Sequence, residues 1–291
     1  MKIYSTGMYY EPVIDRLPEL KPLLKAVTGQ NFRRIDRFIQ LALIGVSRCS
    51  GEVSLPIETA IYLTSGQGDL EVMIDVLEQM LRDGKSPKPL SFINTVSNSA
   101  CYHLAKYLHL KSRNCFVASH CFSFERALRL AMVDFLQGNL TSALVGSVDI
   151  CVLPLAQHRQ RIAVSPDTPV AEACHWLLLG DDDCLGEPMG EVEGVEHFGS
   201  KEALLVWLAA LDVDNSWSIA GGHILPEEEL VFYQELTLVG QQFQYRKNLA
   251  YYDTQTASAF SQYLEHGREG TLLHIETDGE GRYCTFLLKV F

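Results

Sequence analysis

The chain has 291 residues, of which 47% are hydrophobic and 21% charged, and its formal net charge is −12. This composition is typical of a globular protein large enough for one broad domain or two fused halves, and it excludes a disordered chain. The negative charge argues against nucleic acids and anionic membranes as partners. No apolar run could span a bilayer and no signal-like segment opens the chain, so we expect a cytoplasmic protein without membrane insertion.

The eight cysteines form no CxxC pair, and most of them lie inside apolar segments. This distribution favours reduced core thiols over a disulfide framework or a zinc site. The run Gly66-Gln67-Gly68 is a flexible turn, and it is too short a motif to indicate a nucleotide site. The sequence therefore predicts neither a metal site nor a cofactor-binding site.

The first third of the chain predicts alternating strands and helices. A short strand and a proline-marked connection occupy residues 1–26, and the run 32–44 places apolar side chains on one helical face and arginines on another. That arginine face is either simply solvated or a basic patch for an acidic partner. A strand is expected at 57–65 and an amphipathic helix at about 70–82, and a further helix is expected within 91–110.

The stretch 115–149 predicts a strand, a cysteine-bearing turn, a buried helix and a second strand. Residues 116–118 are apolar, Cys121 follows in a turn, and the residues up to about 137 carry apolar side chains nearly all round. Cys121 is therefore expected at the N-terminus of a buried helix, where the helix dipole and free backbone N–H groups favour a thiolate. The alternative is a buried structural cysteine at a tight turn.

Several runs resemble the β-ketoacyl synthases, which have the thiolase fold. The run 117–123 (VASHCFS) is similar to the V-S-T-A-C-A-S run around the nucleophile of that family, and 143–149 (ALVGSVD) is similar to its A-L-V-G-G-V-D strand. The run 32–44 resembles the R-R-M-D-R-F-x-Q-x-A-L helix. Residues 171–180 resemble G-E-G-A-G-x-L-V-L-E, and 190–195 resemble G-x-I-x-G-V. The resemblance covers nearly the whole chain and is weakest in the last third.

This resemblance implies a thiolase-like α/β fold, in which two βαβαβαββ halves form a five-layer α-β-α-β-α arrangement. The first half would span residues 1–187, and a shortened second half would span 188–291. Two glycines of the family are Ala173 and His175 here, which indicates local repacking, because glycine in such a turn marks strain or close packing. A dimer is also implied, with the strand 115–118 as its candidate edge.

Condensation in this family requires a cysteine thiolate and two histidines that handle protons and polarise a carbonyl. The first histidine belongs to A-H-G-T-x-T-P, which 220–226 resembles; Gly221 occupies its place, and His223 falls two residues later. The second belongs to K-S-x-x-G-H-x-x-G, which 247–255 resembles, and Tyr252 occupies its place. Gly221 and Tyr252 are therefore vestigial histidine positions, although a shift of a few residues would bring His223 into the site.

These departures imply a ketosynthase-like subunit of fatty-acid or polyketide biosynthesis, with the aryl polyene pathways as the nearest pattern. Such a subunit would not condense by itself, but would pair with an active ketosynthase in a heterodimer, as chain-length factors do. A homodimer is the alternative. The other partner would be an acyl carrier protein, whose phosphopantetheine supplies the acyl groups, and no intrinsic cofactor is implied. Because the chain is acidic, docking an acidic carrier requires either a local basic patch or a more basic partner subunit.

Two other hypotheses remain open. In the first, the protein is an atypical β-ketoacyl-carrier-protein synthase or acyltransferase, in which Cys121 accepts an acyl group and His120 or His223 assists. In the second, the protein is a binding module that only holds a carrier protein or an acyl chain. Acylation of Cys121 separates these hypotheses, because a thiolate-favouring position does not require the histidines whereas condensation does.

Overall fold

The computed structural model describes residues 1–51, 53–119, 121–181, 185–267 and 269–291. Its strands are β1 (Lys2–Val13), β2 (Ala60–Ser65), β3 (Asn114–Ala118), β4 (Ser142–Asp149), β5 (Val170–Gly180), β6 (Gly190–Phe198), β7 (Ser218–Gly221), β8 (Gln241–Gln242), β9 (Gly270–Thr277) and β10 (Tyr283–Val290). Its helices are α1 (Leu20–Thr28), α2 (Arg37–Ser50), α3 (Leu70–Leu81), α4 (Pro89–Asn94), α5 (Ser99–Leu108), α6 (Ser123–Leu136), α7 (Leu155–Arg161), α8 (Lys201–Leu208), α9 (Glu227–Thr237) and α10 (Thr256–Glu265). The candidate base His120 and one cysteine, Cys184, lie outside the described residues.

The described strands form one mixed sheet in the order β3-β2-β4-β5-β1-β6-β10-β9-β7-β8. When the five strands of each half are numbered in chain order, both halves have the order 3-2-4-5-1 from the outer edge of the sheet to its middle. The strand order of the second half is therefore the mirror image of that of the first. They join where β1 pairs with β6 through Lys2–Glu191 and Ile3–Gly190. This repeated order confirms the predicted two-half, thiolase-like α/β architecture.

The second half is shorter in residues but complete in elements. From β6 onward the chain runs strand, helix, strand, helix, strand, helix, strand, strand, which is the full βαβαβαββ unit. The shortening comes from small elements, since β8 has two residues and α8 has eight. The connection between β5 and β6 contains the predicted boundary at residue 187, and the division into 1–187 and 188–291 stays a prediction.

The core is divided by the two half-sheets into three main clusters, which correspond to the helical layers. Side chains of α6 and α10 pack together with strands of both halves in the central cluster. On the outer side of the first half, α1, α2 and α5 pack against the sheet. On the outer side of the second half, α8 and α9 do the same. Helices and strands therefore alternate in the predicted five layers.

Helix α2 begins later than its apolar pattern indicates. Arg34 has a left-handed backbone with φ of 60°, which ends any helix started at residue 32. The Asp36 carboxylate then caps the helix by accepting a hydrogen bond from the Ile39 N–H at 2.9 Å. Arg37 in the first turn forms an ion pair with the buried Glu172 of β5, which fixes this end of α2 to the sheet.

The segment 151–169 contains α7, which ends in the polar run 158–161 (HRQR). Its His158 is only 4% exposed, so one polar residue of that run lies in the interior.

Within the described residues, no helix combines the length and the apolar character needed to cross a membrane. The cysteines among the described residues are all free thiols. The described residues also contain no cluster of three or more His, Cys, Asp or Glu side chains that could hold a metal ion.

Candidate functional site around Cys121

Cys121 lies in the sharp turn between β3 and α6, as its sequence context predicts. The next residue, Phe122, has a left-handed backbone with φ of 59°, and its buried ring packs edge-on against His197 at 5.9 Å between ring centroids. The turn is closed by Ser123, whose hydroxyl donates to the carbonyl oxygen of Ser119. Packing of the Phe122 ring thus holds the backbone conformation that places the thiol before the first turn of α6.

The Cys121 side chain lines a small cavity of about 40 Å³. The cavity is bounded by the start of α6, the loop after β7, the loop before α10 and the end of β9. The residues that line it are Cys121, Phe122, Ser123, Phe124, Glu125, His223, Ile224, Tyr251, Asp253, Thr254, Gln255, Thr256, Glu276 and Thr277. Of the predicted site residues, the structure therefore brings Cys121 and His223 together.

His223 is held by its own backbone and by a neighbouring ring. Its N–H donates to Glu276 Oε2 at 3.0 Å, and its imidazole packs against Tyr251 with 4.6 Å between the ring centroids. Partial desolvation and the positive charge of Arg246 lower the pKa of His223. The ring is therefore a neutral imidazole at neutral pH, the form that can accept a proton or donate a hydrogen bond.

The two vestigial positions, Gly221 and Tyr252, do not line the Cys121 cavity. A Cβ atom on Gly221 would contact Leu225 and Leu230 at 3.1 and 3.2 Å, so a side chain there would meet these leucines of the outer layer. The buried Tyr252 hydroxyl makes a hydrogen bond of 2.8 Å with Nε2 of His175, and the two rings are stacked. Two departures from the family pattern, at positions 175 and 252, thus contact each other.

Two buried glutamates in the cavity were not predicted from the sequence. Glu125 in the first turn of α6 is 2% exposed, and its Oε1 has no hydrogen-bond partner among the described residues. Burial raises the pKa of Glu125 to about 7, and burial together with the Glu125 charge raises the pKa of Glu276 to about 7. The spacing of the sequence does indicate that Glu125 is buried. It lies three residues before Leu128 and ten before Phe135, so the three side chains share the buried face of α6.

Gly222 explains how Glu276 comes so close to the backbone of the loop after β7. A Cβ atom at this position would lie 1.8 Å from Oε2 of Glu276, so any side chain would displace the carboxylate. Glu276 Oε1 also accepts a hydrogen bond from the Thr277 N–H at 3.0 Å. Backbone donors and the absence of a side chain at residue 222 therefore hold the carboxylate at the wall of the cavity.

These carboxylates set the chemistry available to the thiol. Burial raises the pKa of Cys121, and the negative charges of Asp278 and Glu276 raise it further. Desolvation and the acidic neighbours therefore act against the thiolate that the start of a helix was expected to favour. Among the described residues, the site presents a neutral thiol, one neutral imidazole and two carboxyl groups that titrate close to neutral pH.

The space in the cavity limits what it can bind. A volume of about 40 Å³ accommodates a few water molecules, since one water needs roughly 10–15 Å³ by this measure. Pockets for organic ligands are roughly 300–1,000 Å³. In this conformation the cavity thus has room for a small polar group but not for an acyl chain.

No protein-family model matches the sequence, and no curated protein matches it. Among solved structures, the chain is similar to an ishigamide ketosynthase/chain length factor, with a TM-score of 0.73, 18% identity and full coverage of both chains. It is also similar to the type II polyketide synthase complex AntDE:AntF, an acyl carrier protein with its hexaketide-bound ketosynthase (TM-score 0.72, 11% identity, 100% of this chain and 99% of that one). The ketosynthase domain OzmH KS7 of Streptomyces albus JA3453 gives a TM-score of 0.73 at 12% identity, over 100% of this chain and 75% of that domain. At these identities the similarity establishes a ketosynthase-like thiolase fold.

Proposed function

We propose that this chain, which has the ketosynthase-like thiolase fold, is a non-condensing subunit that pairs with an active ketosynthase in polyketide or fatty-acid assembly. The aryl polyene pathways are the nearest pattern by sequence. The observation that carries the proposal is the Tyr252–His175 hydrogen bond of 2.8 Å. Tyr252, which aligns with the second histidine of the family pattern, is in this way held in a buried pair. Among the described residues that line the Cys121 cavity, His223 is the one imidazole.

The electrostatics of the cavity support the same proposal. Condensation requires a thiolate and hydrogen-bond donors where negative charge develops on the thioester oxygens. Here Glu125 and Glu276 line the cavity, and the Glu276 charge opposes a thiolate at Cys121 and would oppose an enolate beside it. Loss of one general acid or base typically costs roughly two to four orders of magnitude in rate. A site with one imidazole and two carboxylates should therefore retain little condensing activity.

The edge of the sheet supports pairing with another subunit. Strand β3 is the first strand of the sheet order, and it pairs on one side only, with β2. Its side chains are half-buried or exposed, although strands β2 and β4 beside it are fully buried. Helices α3 and α4 expose several large apolar side chains, which are Met73, Leu77, Met80, Leu81, Leu90, Phe92 and Ile93. An unpaired edge and an exposed apolar surface are typical of a protein interface.

A basic groove on the first half supports docking of an acidic carrier protein. Two adjoining cavities of about 430 and 550 Å³ share Arg33 and four of its neighbours, and no acidic residue lines either of them. The basic and titratable residues that line the groove are Lys21, Lys25, Arg33, Arg34, His103, Lys106 and His109. On a chain with a net charge of −12, this groove is a local positive surface that attracts an acidic partner carrying phosphopantetheine-bound acyl groups.

The test is a malonyl-dependent elongation assay of the purified complex with a ketosynthase that carries the cysteine and both histidines. We expect the complex to form and elongation to be unchanged by Cys121→Ala, because the partner supplies the chemistry. Ala118→Lys, at the exposed end of β3, should dissociate the complex, whereas Leu136→Lys, which is exposed at the end of α6, should not. The proposal fails if the chain alone elongates an acyl group and loses this activity on Cys121→Ala.

A second candidate function rests on the shared cavity of Cys121 and His223. In this function the protein is an acyltransferase or atypical β-ketoacyl-carrier-protein synthase, in which His223 accepts the thiol proton and Cys121 takes the acyl group from a carrier thioester, releasing the carrier thiol. Intact-protein mass spectrometry after incubation with acyl thioesters tests it. An acyl adduct that disappears in Cys121→Ala and forms more slowly in His223→Gln would favour this function over the first.

A further inference from the structure

A second cavity, separate from the Cys121 site, lies at the carboxyl ends of β7 and β8. Its volume is about 300 Å³, and it is lined by Gly221, Glu227, Leu230, Gln242, Phe243, Gln244, Tyr245, Arg246 and Lys247. None of these residues lines the cavity at Cys121. The strands β7 and β8 are parallel, and the carboxyl ends of parallel strands are a common location for ligand sites in α/β sheets. A volume near 300 Å³ is sufficient for a small organic molecule.

Arg246 gives this cavity its charge. The residue is half-buried, and within the described part of the chain its guanidinium forms no ion pair with any carboxylate, including Glu227 on the same cavity wall. Lys247 adds a second cation at the exposed side. A half-buried guanidinium that forms no ion pair keeps donors available, and an anion bound beside it would accept charge-assisted hydrogen bonds.

The remainder of the lining has a polar part, formed by Glu227, Gln242 and Gln244, and an apolar and aromatic part, formed by Leu230, Phe243 and Tyr245. The rings of Phe243 and Tyr245 lie nearly parallel, with 6.3 Å between centroids, and Leu230 adds an aliphatic wall. The Tyr245 hydroxyl already makes a hydrogen bond of 3.0 Å with Nε2 of the buried His274, so the phenol is held in place. Gly221 adds no side chain to the cavity wall, and a Cβ atom there would lie 3.1 Å from Leu225 and 3.2 Å from Leu230.

We propose that this cavity binds a small carboxylate or phosphate monoester with an apolar body. The anion is bound by the side chains of Arg246 and Lys247, and the apolar body packs on Phe243 and Tyr245. Carboxylate and phosphate oxygens match the fork of guanidinium donors, and the aromatic floor selects a ligand with an apolar or aromatic group. The lining of this site shares no residue with that of the Cys121 cavity, and the proposal does not rest on pairing with a ketosynthase.

Isothermal titration of the full chain with 3-phenylpropionate, phenyl phosphate and the neutral 3-phenylpropionamide tests the proposal. We expect one or both anions to bind at least about tenfold more tightly than the amide, since charge-assisted hydrogen bonds are the strong ones. The tighter anion identifies the ligand as a carboxylate or as a phosphate monoester. Equal binding of the amide, or no binding of either anion at 10 mM (about ten times a weak Kd of order 1 mM), overturns the proposal.

Variants locate the site. Arg246→Gln and Lys247→Gln should each weaken anion binding, with the larger loss, about tenfold or more, for Arg246. Arg246→Lys should fall between wild type and Arg246→Gln, because it keeps the charge without the fork. Arg16→Gln removes the same charge from an exposed turn of the first half and should bind as wild type does. Unchanged anion binding in both Arg246→Gln and the exposed Lys247→Gln overturns the assignment.

Discussion

His175 and Tyr252 show how two substitutions relative to a family pattern can depend on each other. Each was predictable as a departure, but their contact was not, because they are 77 positions apart and come from β5 and from the loop before α10. His175 is also tied to Ser261 through its other ring nitrogen at 3.1 Å, and burial lowers its pKa to about 3. The pair is therefore a neutral, hydrogen-bonded unit inside the core.

A double-mutant cycle on this pair should reveal strong coupling. Tyr252→Phe leaves a buried imidazole nitrogen unpaired and should cost about 1–3 kcal/mol of unfolding free energy, and His175→Ala should cost at least as much. The double variant should lose less than the sum, with a coupling of about 0.5–3 kcal/mol. Tyr102→Phe, at a tyrosine that is 61% exposed, is the matched control. Additive losses in urea titrations would contradict a shared hydrogen bond.

Glu125 should make the stability of the protein depend on pH. Its folded-state pKa is about 7 whereas its ordinary value is 4.5, so between these values the folded chain holds a proton that the unfolded chain has lost. Stability contributed by this group therefore falls as the pH rises from about 4.5 through 7. Glu125→Gln removes the titration and should be more stable than wild type at pH 8, by about 1–3 kcal/mol, but not at pH 4.5.

The measurement for Glu125 is the unfolding free energy of variant and wild type at several pH values. Because the Glu125 charge also raises the pKa of Glu276, the difference between the two proteins reports Glu125 together with its effect on Glu276. Glu228→Gln, at an exposed glutamate in the first turn of α9, is the control and should show no such pH-dependent difference. A difference between Glu125→Gln and wild type that does not change with pH would show that Glu125 is ionised throughout in the folded protein.

At the scale of elements, the order of strands and helices around Cys121 was predictable because the apolar runs there are long and uninterrupted. The burial of β4 on both faces followed directly from its continuous apolar run. Helix α7 was not predicted, since seven residues rich in Gln and Arg carry no helical apolar period. The start of α2 was not predicted, because it is set by the left-handed backbone of Arg34 and by the hydrogen bond that caps the helix at Asp36. Neither feature appears in the spacing of apolar residues.

The close packing of α2, β4 and β5 depends on two glycines that face the Trp176 indole. A Cβ atom on Gly45 of α2 or on Gly146 of β4 would lie 2.6 or 2.2 Å from ring carbons of this fully buried side chain. We expect Gly146→Ala to lower the unfolding free energy by about 3 kcal/mol, the upper end of the usual cost of overpacking. Gly240→Ala should change the unfolding free energy little, because no atom lies within 4 Å of the added Cβ. Urea unfolding with equal losses in both variants would contradict this packing.

At the scale of the whole molecule, five lysine and arginine side chains line one groove in the first half of an acidic chain. We expect Arg33→Glu to weaken binding of an acidic acyl carrier protein and to reduce the salt dependence of its association rate. Lys88→Glu makes the same charge change at an exposed residue that does not line the groove, and serves as control. Surface plasmon resonance at several salt concentrations measures both effects. Equal effects of the two variants would indicate that only net charge matters.

The position of β1 has a consequence for synthesis of the protein. This strand comes first in the chain, yet it pairs along its length with β5, whose residues 170–180 are made much later. At roughly 5–20 residues per second, a ribosome needs roughly 8–30 s to add the residues between them. During that interval an apolar strand is left without its hydrogen-bonding neighbour, and pairing of distant segments is slow. We therefore expect the nascent chain to need chaperone protection, and deletion of β5 to leave the first half unable to fold.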